Sequence, residues 1–326
     1  MLRSRIIGTG HFLPERILTN TDLETMMDTT DEWIRQRTGI HQRHSAKDGE
    51  GSADLAYPAA VQALEAANVD PNDVDLVLMA TTTPDYIFPA SACVLQEKLG
   101  IERAAAFDMN AACSGFVYAL ATANSMIQTG MFKTILLAGA ERVTNRLNWE
   151  MRDTAVLFGD GAGAVVLRAE NGDHGVLTSY LDASGGENDL LIWPAGGSKQ
   201  PIGSHNHDSS DCDIRMRGQD LFKRAVIEFS NAMKQALNGT DVSLDEIALV
   251  IPHQANIRII QKSAERIGMS MDRVFVNVDQ VGNTMAASIP IALDQAVRAG
   301  RIKDGDLILF AAFGAGLTWG SCLVRW

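Results

Sequence analysis

The sequence predicts an α/β protein of two duplicated halves, stacked as alternating layers of helix and sheet in an α-β-α-β-α arrangement. Three observations carry this reading. Short, mostly apolar strand-like runs alternate with helical patterns of roughly 12–18 residues, as in sheets covered by helices. The same order of segments occurs twice along the chain. One helical segment, the one after Cys113, is apolar on nearly every side, from Phe116 through Ala121. A helix of that kind belongs inside a layered body, not on its surface.

In chain order, MLRSRIIGTG (1–10) opens on a strand and SADLAYPAAVQALEAAN (52–68) reads as a helix with Ser52 as N-cap. The run DVDLVLMATTTPD (73–85) returns as EIALVIPHQAN (246–256), each an apolar strand ending in a polar turn. AAFDMNAACSGFVYALATANSMIQTG (105–130) returns as VFVNVDQVGNTMAASIPIALDQAVRAG (274–300), each a strand, a small-residue turn and a helix closing on Gly. KTILLAGAE (133–141) returns as DLILFAAFG (306–314), and FGDGAGAVVLRA (158–169) as GLTWGSCLVRW (316–326). Aligning the two helices on Gly130 and Gly300 sets Cys113 opposite Asn283. The halves divide at 1–172 and 173–326. Residues 183–217 are rich in Gly, Ser, Asp and Pro and read as a long irregular insertion.

The 326 residues are 46% hydrophobic, enough for a large core. Lys plus Arg number 28 against 40 Asp plus Glu, a net charge of −12 that argues against general nucleic-acid binding. No apolar run approaches the roughly 18–20 residues of a membrane span, and the start of the chain has no signal-like region. A cytoplasmic location, with no membrane partner, is expected. The four cysteines (Cys93, Cys113, Cys212, Cys322) are scattered without a CxxC pair, so free thiols are expected.

Among them Cys113 stands at a strand-to-helix turn. There the free N–H groups and dipole of the helix favour a thiolate, the nucleophilic form. Small neighbours (Ala111, Ala112, Ser114, Gly115) leave room for a substrate. His253 ends the strand of the second repeat, so Cys113, His253 and Asn283 converge at the joint of the halves. Cys93 in a helix, Cys322 in a terminal strand and Cys212 have no such setting and read as inert. GTGHFLP (8–14) and GDGAG (159–163) lack the full dinucleotide fingerprint and read as tight turns. SHNHDSSDCD (204–213), with His205, His207, Asp208, Asp211, Cys212 and Asp213, has no metal-ligand spacing and reads as a polar loop. No metal or resident cofactor is expected. Arg258, Lys262 and Arg266 fall at i, i+4 and i+8 on one helix face, and Lys223 and Arg224 begin another helix. Such a stripe is either an ordinary solvated face or a docking site for an acidic or phosphate-bearing partner.

These segments resemble the 3-oxoacyl-[acyl-carrier-protein] synthase III family, condensing enzymes of the thiolase-like fold. The resemblance runs nearly end to end. It rests on DTTDEWIRQRTGI (28–40), AFDMNAACSGF (106–116), LFGDGAGAVVL (157–167), IPHQANIRII (251–260), GNTMAASIP (282–290) and AFGAGLTWGS (312–321). It implies the initiating condensation of type II fatty acid synthesis. Cys113 would be the nucleophile that takes an acyl group, acetyl by family default, from acyl-CoA. His253 and Asn283 would serve the decarboxylative condensation with malonyl-carrier protein. The backbone N–H groups of Cys113 and Ala315 would form an oxyanion hole. Trp33 and Arg152 would hold the adenine of CoA, with Thr29, Arg37, Gly218, Asn256 and Phe313 along its channel. Phe88 and Phe158 match acyl-pocket positions, and Phe88 would reach the pocket of the second subunit of a homodimer. Arg258 matches the carrier-docking arginine, with Lys262, Arg266, Lys223 and Arg224 as neighbouring bases. Three features depart from the family: Val281 before Gly282, Leu317 in place of Phe, and the 183–213 insertion.

Degradative thiolases use a second cysteine near the C-terminal Gly-rich turn, and AAFGAG has none. A relative with longer or specialised acyl primers in secondary metabolism, and a non-catalytic protein that binds acyl-CoA or the carrier, are the remaining alternatives.

Overall fold

The computed structural model describes residues 2–203 and 212–326. Strand β1 (Leu2–Phe12) leads to a ribbon of β2 (Arg16–Thr19) and β3 (Gln42–Ser45) that encloses helices α1 (Asn20–Glu24) and α2 (Asp31–Thr38). There follow α3 (Ser52–Ala67), β4 (Leu76–Ala80), α4 (Ser91–Lys98), β5 (Ala105–Met109), α5 (Gly115–Gln128), β6 (Thr134–Glu141), α6 (Arg152–Ala155) and β7 (Gly161–Asn171). The chain continues through β8 (Gly175–Ala183), a short ribbon of β9 (Leu191–Ile192) and β10 (Arg215–Met216), α7 (Gly218–Gln235), β11 (Ile247–Pro252) and α8 (Ile257–Ile267). It ends with α9 (Val278–Val281), α10 (Ser288–Arg298), β12 (Leu307–Gly314) and β13 (Thr318–Arg325).

Two mixed sheets result. The first has the order β1-β7-β6-β4-β5, the second β8-β13-β12-β11. Val274 adds a parallel bridge to Val250 on the open side of β11, the place β5 holds beside β4. Both sheets therefore keep parallel strands at one side and antiparallel strands at the other.

The layering follows from which face each residue presents. In β4 all five residues are buried. Leu76 and Leu78 point into the central layer and Val77 and Met79 to the outer one, as the two-residue period of a strand requires. In the central layer Phe116 and Leu120 of α5 and Ile289 and Leu293 of α10 pack with Leu137 of the first sheet and Ile251 and Phe310 of the second. Phe116 meets Phe310 edge-on, with ring centroids 6.3 Å apart. Outside the first sheet lie Ala56, Ala60 and Leu95 of α3 and α4, and outside the second Phe229, Met233 and Ile260 of α7 and α8. No helix among the described residues is long and apolar enough to cross a membrane.

Several local expectations are corrected. The Gly-x-Gly pairs are not tight turns: Gly8 and Gly10 lie inside β1, and Gly161 and Gly163 inside β7. Gly8, Gly10 and Gly163 are glycine because helix backbone lies against the strand. A Cβ on Gly8 would sit 2.2 Å from the Ala63 carbonyl oxygen, and one on Gly163 2.5 Å from the Ile291 nitrogen. Ser52 is not the N-cap of α3, which is Gly51. The Asp54 carboxylate accepts the Gly51 N–H at 2.7 Å, and the Ser52 hydroxyl donates instead to the Thr83 carbonyl at 2.6 Å. Helix α7 starts at Gly218, five residues before Lys223.

The alignment of Cys113 with Asn283 also shifts. Both central helices close on a left-handed glycine, Gly130 (φ 74°) and Gly300 (φ 66°). However, α5 has 14 residues and α10 has 11. Each starts from a single 3-10 turn, Ala112–Ser114 or Met285–Ala287. Each turn opens on a non-glycine residue in the left-handed region, Ala112 (φ 46°) or Met285 (φ 48°). Counted from these turns, the counterpart of Cys113 is Ala286, and Asn283 stands three residues earlier.

Gly163→Ala should destabilise the fold by about 3 kcal/mol or more, because backbone rather than a flexible side-chain end must move. Gly185→Ala, with nothing within 4 Å of its added Cβ, should stay within about 0.5 kcal/mol of the parent. Urea unfolding of both variants checks the contrast.

Candidate active site

Cys113 sits at the centre of the molecule, 4% exposed, in the turn that feeds α5. The backbone of β12 comes up against it: a Cβ on Gly314 would lie 2.8 Å from the Cys113 nitrogen. Two further bonds tie this turn to β13. The Ser114 hydroxyl donates to the Thr318 carbonyl at 3.0 Å, and the Thr318 hydroxyl donates to the Ala111 and Ala315 carbonyls at 3.1 and 3.0 Å. Neither the Cys113 nor the Ala315 N–H bonds to another backbone group among the described residues. The φ of Ala315 lies outside the left-handed region, so its Cβ costs no backbone strain.

Asn283 reaches the same place from the other half. It bridges in parallel to Phe158, its N–H donating to the Leu157 carbonyl at 2.8 Å while its carbonyl accepts the Gly159 N–H at 3.1 Å. Its side-chain oxygen accepts the Met285 N–H at 2.9 Å, which turns the amide NH2 the other way. Phe158 and Met285 share an apolar cluster with Cys113, Leu147 and Leu157.

His253 is 3% exposed and follows the end of β11, its N–H on the Ala311 carbonyl at 2.8 Å. Its Nδ1 lies 2.6 Å from the hydroxyl of Ser288, the first residue of α10. The next residue, Gln254, braces this strand end. Its NH2 donates to the Pro252 and Phe275 carbonyls at 2.9 and 3.1 Å, and its oxygen accepts the Asn277 and Val278 N–H groups at 3.1 and 3.2 Å. His253 Nε2 and Asn283 Nδ2 have no hydrogen-bond partner among the described residues. Burial pushes the His253 imidazole down to about 3, so it is neutral at physiological pH.

Glu141, which the sequence reading passed over, ends β6 and is fully buried. It accepts the Thr82 N–H at 3.0 Å, the Thr83 N–H at 3.1 Å and the Thr82 and Thr83 hydroxyls at 2.9 and 2.6 Å. The carboxylate thus clasps the turn after β4 to the end of β6. Burial pushes it up to about 7 against these hydrogen bonds. The expected thiolate at Cys113 is overturned by the same burial. Desolvation first, and then the Glu141 charge, push the thiol up to about 12, past what its helix start can offset.

Of the residues expected along a CoA channel, Trp33, Arg37, Arg152 and Asn256 lie together. Both the Arg37 and Arg152 guanidiniums lie on the Trp33 indole, 4.5 and 4.9 Å from its centroid. A base between Trp33 and Arg152 would need roughly 7 Å, two van der Waals contacts, so Arg152 must lift away to admit one. Arg152 also donates to the Asp28 carbonyl at 2.9 Å. The Thr29 hydroxyl is buried with no hydrogen-bond partner among the described residues. Asn256 caps α8 and donates to the Arg37 carbonyl at 3.0 Å, Gly218 begins α7, and Phe313 stacks on Trp319 at 6.4 Å. Phe88 stands apart from Cys113's cluster, 84% exposed beside Ile87 at 91%.

The basic residues divide. Arg258, Lys223 and Arg266 are exposed with no ion pair among the described residues, and Arg258 lies over Phe222 at 5.4 Å. Lys262 is paired with Glu265 at 2.6 Å. Arg224 is held by Glu187 at 2.9 Å and Glu228 at 2.7 Å, and lies over Trp319. His205, His207, Asp208 and Asp211 lie outside the described residues. Among the described residues no group of three or more His, Cys, Asp or Glu could hold a metal ion.

With its thiol near 12, Cys113 should be alkylated slowly by iodoacetamide at pH 7, well after exposed Cys93. Its rate should rise about tenfold per pH unit from 7 to 10 as the thiolate fraction grows. Peptide mapping over time measures this, and a plateau near pH 8 would contradict it.

The comparisons with known proteins agree with one another. The family described as 3-Oxoacyl-[acyl-carrier-protein (ACP)] synthase III matches residues 107–185, and its C-terminal counterpart matches residues 237–326. A beta-ketoacyl-[acyl-carrier-protein] synthase III of Xylella fastidiosa is 50% identical over 324 residues, 99% of this chain and 98% of that protein. The crystal structure of 3-oxoacyl-[acyl-carrier-protein] synthase III from Aquifex aeolicus VF5 matches with a TM-score of 0.92 at 45% identity, covering 99% and 100% of the two chains. The priming beta-ketosynthase of the R1128 polyketide biosynthetic pathway matches at 0.91 and 31% identity, covering 99% and 96%. With half of its residues shared along nearly its whole length, and with the same thiolase-like fold, this chain belongs to the 3-oxoacyl-[acyl-carrier-protein] synthase III family.

Proposed function

We propose that the protein carries out the initiating condensation of type II fatty acid synthesis in two half-reactions on Cys113. In the first, the Cys113 sulfur attacks the thioester carbonyl of acyl-CoA. The S–C bond to CoA breaks, and the thiol proton leaves with the CoA sulfur. The oxyanion formed on the way is met by the N–H groups of Cys113 and Ala315, which are free of backbone partners. In the second, malonyl-carrier protein loses CO2 and its thioester becomes an enolate. The enolate carbon attacks the Cys113 thioester, giving 3-oxoacyl-carrier protein. The cysteine leaves as thiolate and regains a proton from solvent.

The observation that supports this reading is that His253 faces Ser288 with Nδ1 and Asn283 takes the Met285 N–H on its side-chain oxygen, which leaves His253 Nε2 and Asn283 Nδ2 without a partner among the described residues. Both groups are neutral and pre-placed, as stabilisation of an enolate oxygen in a dry site demands. Decarboxylation itself supplies the carbanion, so no base is needed at carbon.

CoA enters by Trp33, Arg37 and Arg152, with Thr29, Asn256, Gly218 and Phe313 along its path. Phe158 walls the acyl pocket. Phe88, exposed in an apolar loop with Tyr86 and Ile87, acts on the pocket of a second copy, so the working form is a homodimer. The acidic carrier docks on Arg258, Lys223 and Arg266. Lys262 and Arg224, already paired, contribute less. The work is placed in the cytoplasm. Acetyl is the expected primer. The likeness to a priming polyketide synthase favours, as second reading, a longer or specialised primer.

Intact-protein mass spectrometry after incubation with a panel of acyl-CoAs tests the mechanism and the primer together. One acyl-CoA should leave an adduct on Cys113 that malonyl-carrier protein discharges, and Cys113→Ala should form none while still binding CoA. No adduct from any acyl-CoA, or undiminished condensation by the variant, would refute the reading.

A further inference from the structure

Ser288 is fully buried and no role follows for it from the chemistry above, yet its hydroxyl is the sole side-chain contact of His253 Nδ1 among the described residues. Two groups lie within hydrogen-bonding range of its oxygen: Nδ1 at 2.6 Å and the Gln254 N–H at 3.4 Å. The Gln254 N–H can only donate. The hydroxyl proton therefore has one acceptor, the Nδ1 lone pair. If Nδ1 carried the imidazole proton instead, Ser288 would receive two N–H groups and its own O–H would be buried without an acceptor, an arrangement proteins avoid.

We propose that Ser288 is a positioning residue that holds His253 as the Nε2–H tautomer, with that N–H aimed at the oxygen of the enolate. This rests on the condensation proposed above. The geometry supports it at both ends. Gln254, which orients Ser288 through its N–H, is itself fixed by all four of its side-chain bonds. Ser288 opens α10 five residues after Asn283, so one segment sets both donors. The low imidazole pKa keeps the ring neutral, so that only the choice of tautomer remains to be made. A consequence follows for the first half-reaction. With Nε2 protonated, His253 has no lone pair to take the Cys113 proton, so its work falls wholly in the second half-reaction.

The test uses the full-length protein and separates the two half-reactions. In Ser288→Ala, acylation of Cys113 by the acyl-CoA that loads the parent should stay within about twofold, while single-turnover condensation of the acyl-enzyme with malonyl-carrier protein should fall roughly tenfold to a hundredfold. Ser288→Thr, which keeps the hydroxyl, should recover most of that loss. Long-range 1H–15N correlation spectra, with His253 assigned by its loss in His253→Ala, should show Nε2–H in the parent and Nδ1–H or a mixture in Ser288→Ala. Condensation within twofold of the parent in Ser288→Ala, or an Nδ1–H parent, would overturn the proposal. The spectrum of the parent decides even if Ser288→Ala does not fold. It is also independent of turnover, so a protein that forms no acyl adduct would refute the condensation reading without touching the tautomer result.

Discussion

The structure depends on the close meeting of two backbone turns at the mid-plane between the sheets. Ala112 and Met285 each adopt left-handed backbone without being glycine, a conformation that costs roughly 1–3 kcal/mol. That cost is borne because the surroundings leave no other path. Gly314 lies against the Cys113 backbone, and Gly139 lies where a Cβ would strike the Ala286 carbonyl at 2.5 Å. Glu141 fastens the turn after β4 to the end of β6. The central helices can start where they do only if these approaches are kept. The positions of Cys113, Asn283 and Ser288 then follow from where those helices start.

The same burial sets the chemistry. A buried thiol with a carboxylate nearby and no cation is held protonated, against the pull of its helix start. A buried imidazole stays neutral, which suits a hydrogen-bond donor and not an acid. Polar groups that would be costly to bury alone are satisfied in tight local sets: the threonines on Glu141, the backbone groups on Gln254 and the hydroxyl on His253. The groups left without such partners among the described residues include His253 Nε2, the Asn283 amide and the N–H groups of Cys113 and Ala315. Arg37 and Arg152 both lie on Trp33, so its indole face is partly shielded.

Much of this was legible in the residues. The alternation of apolar strands and helices, and the recurrence of each segment, led to the layered α/β reading, because burial on both faces leaves a continuous apolar signature. His253 was readable because it follows an apolar strand directly. Other features had no signal in a one-dimensional pattern. The strand glycines looked like turns because the helix backbones they admit, at Ala63 and Ile291, are far away in sequence. The opposition of Cys113 and Asn283 was placed by the ends of two helices that differ in length by three residues, and the ends, unlike the starts, carry no site residue. Glu141 read as the end of a strand, and Ser288 as one more small residue in GNTMAAS.

The sequence by itself determined the kinds of element, their order, the chemical identity of the reactive groups and the family. Those follow from composition, periodicity and local motif, which do not need distant residues to be read. Only the tertiary structure decided the protonation of Cys113, the company of His253, and which of the basic residues remain unpaired. Each of those is set by desolvation or by a partner many residues away, such as Ser288 for His253 and Glu187 for Arg224. Energies of that kind exist only once the chain has folded.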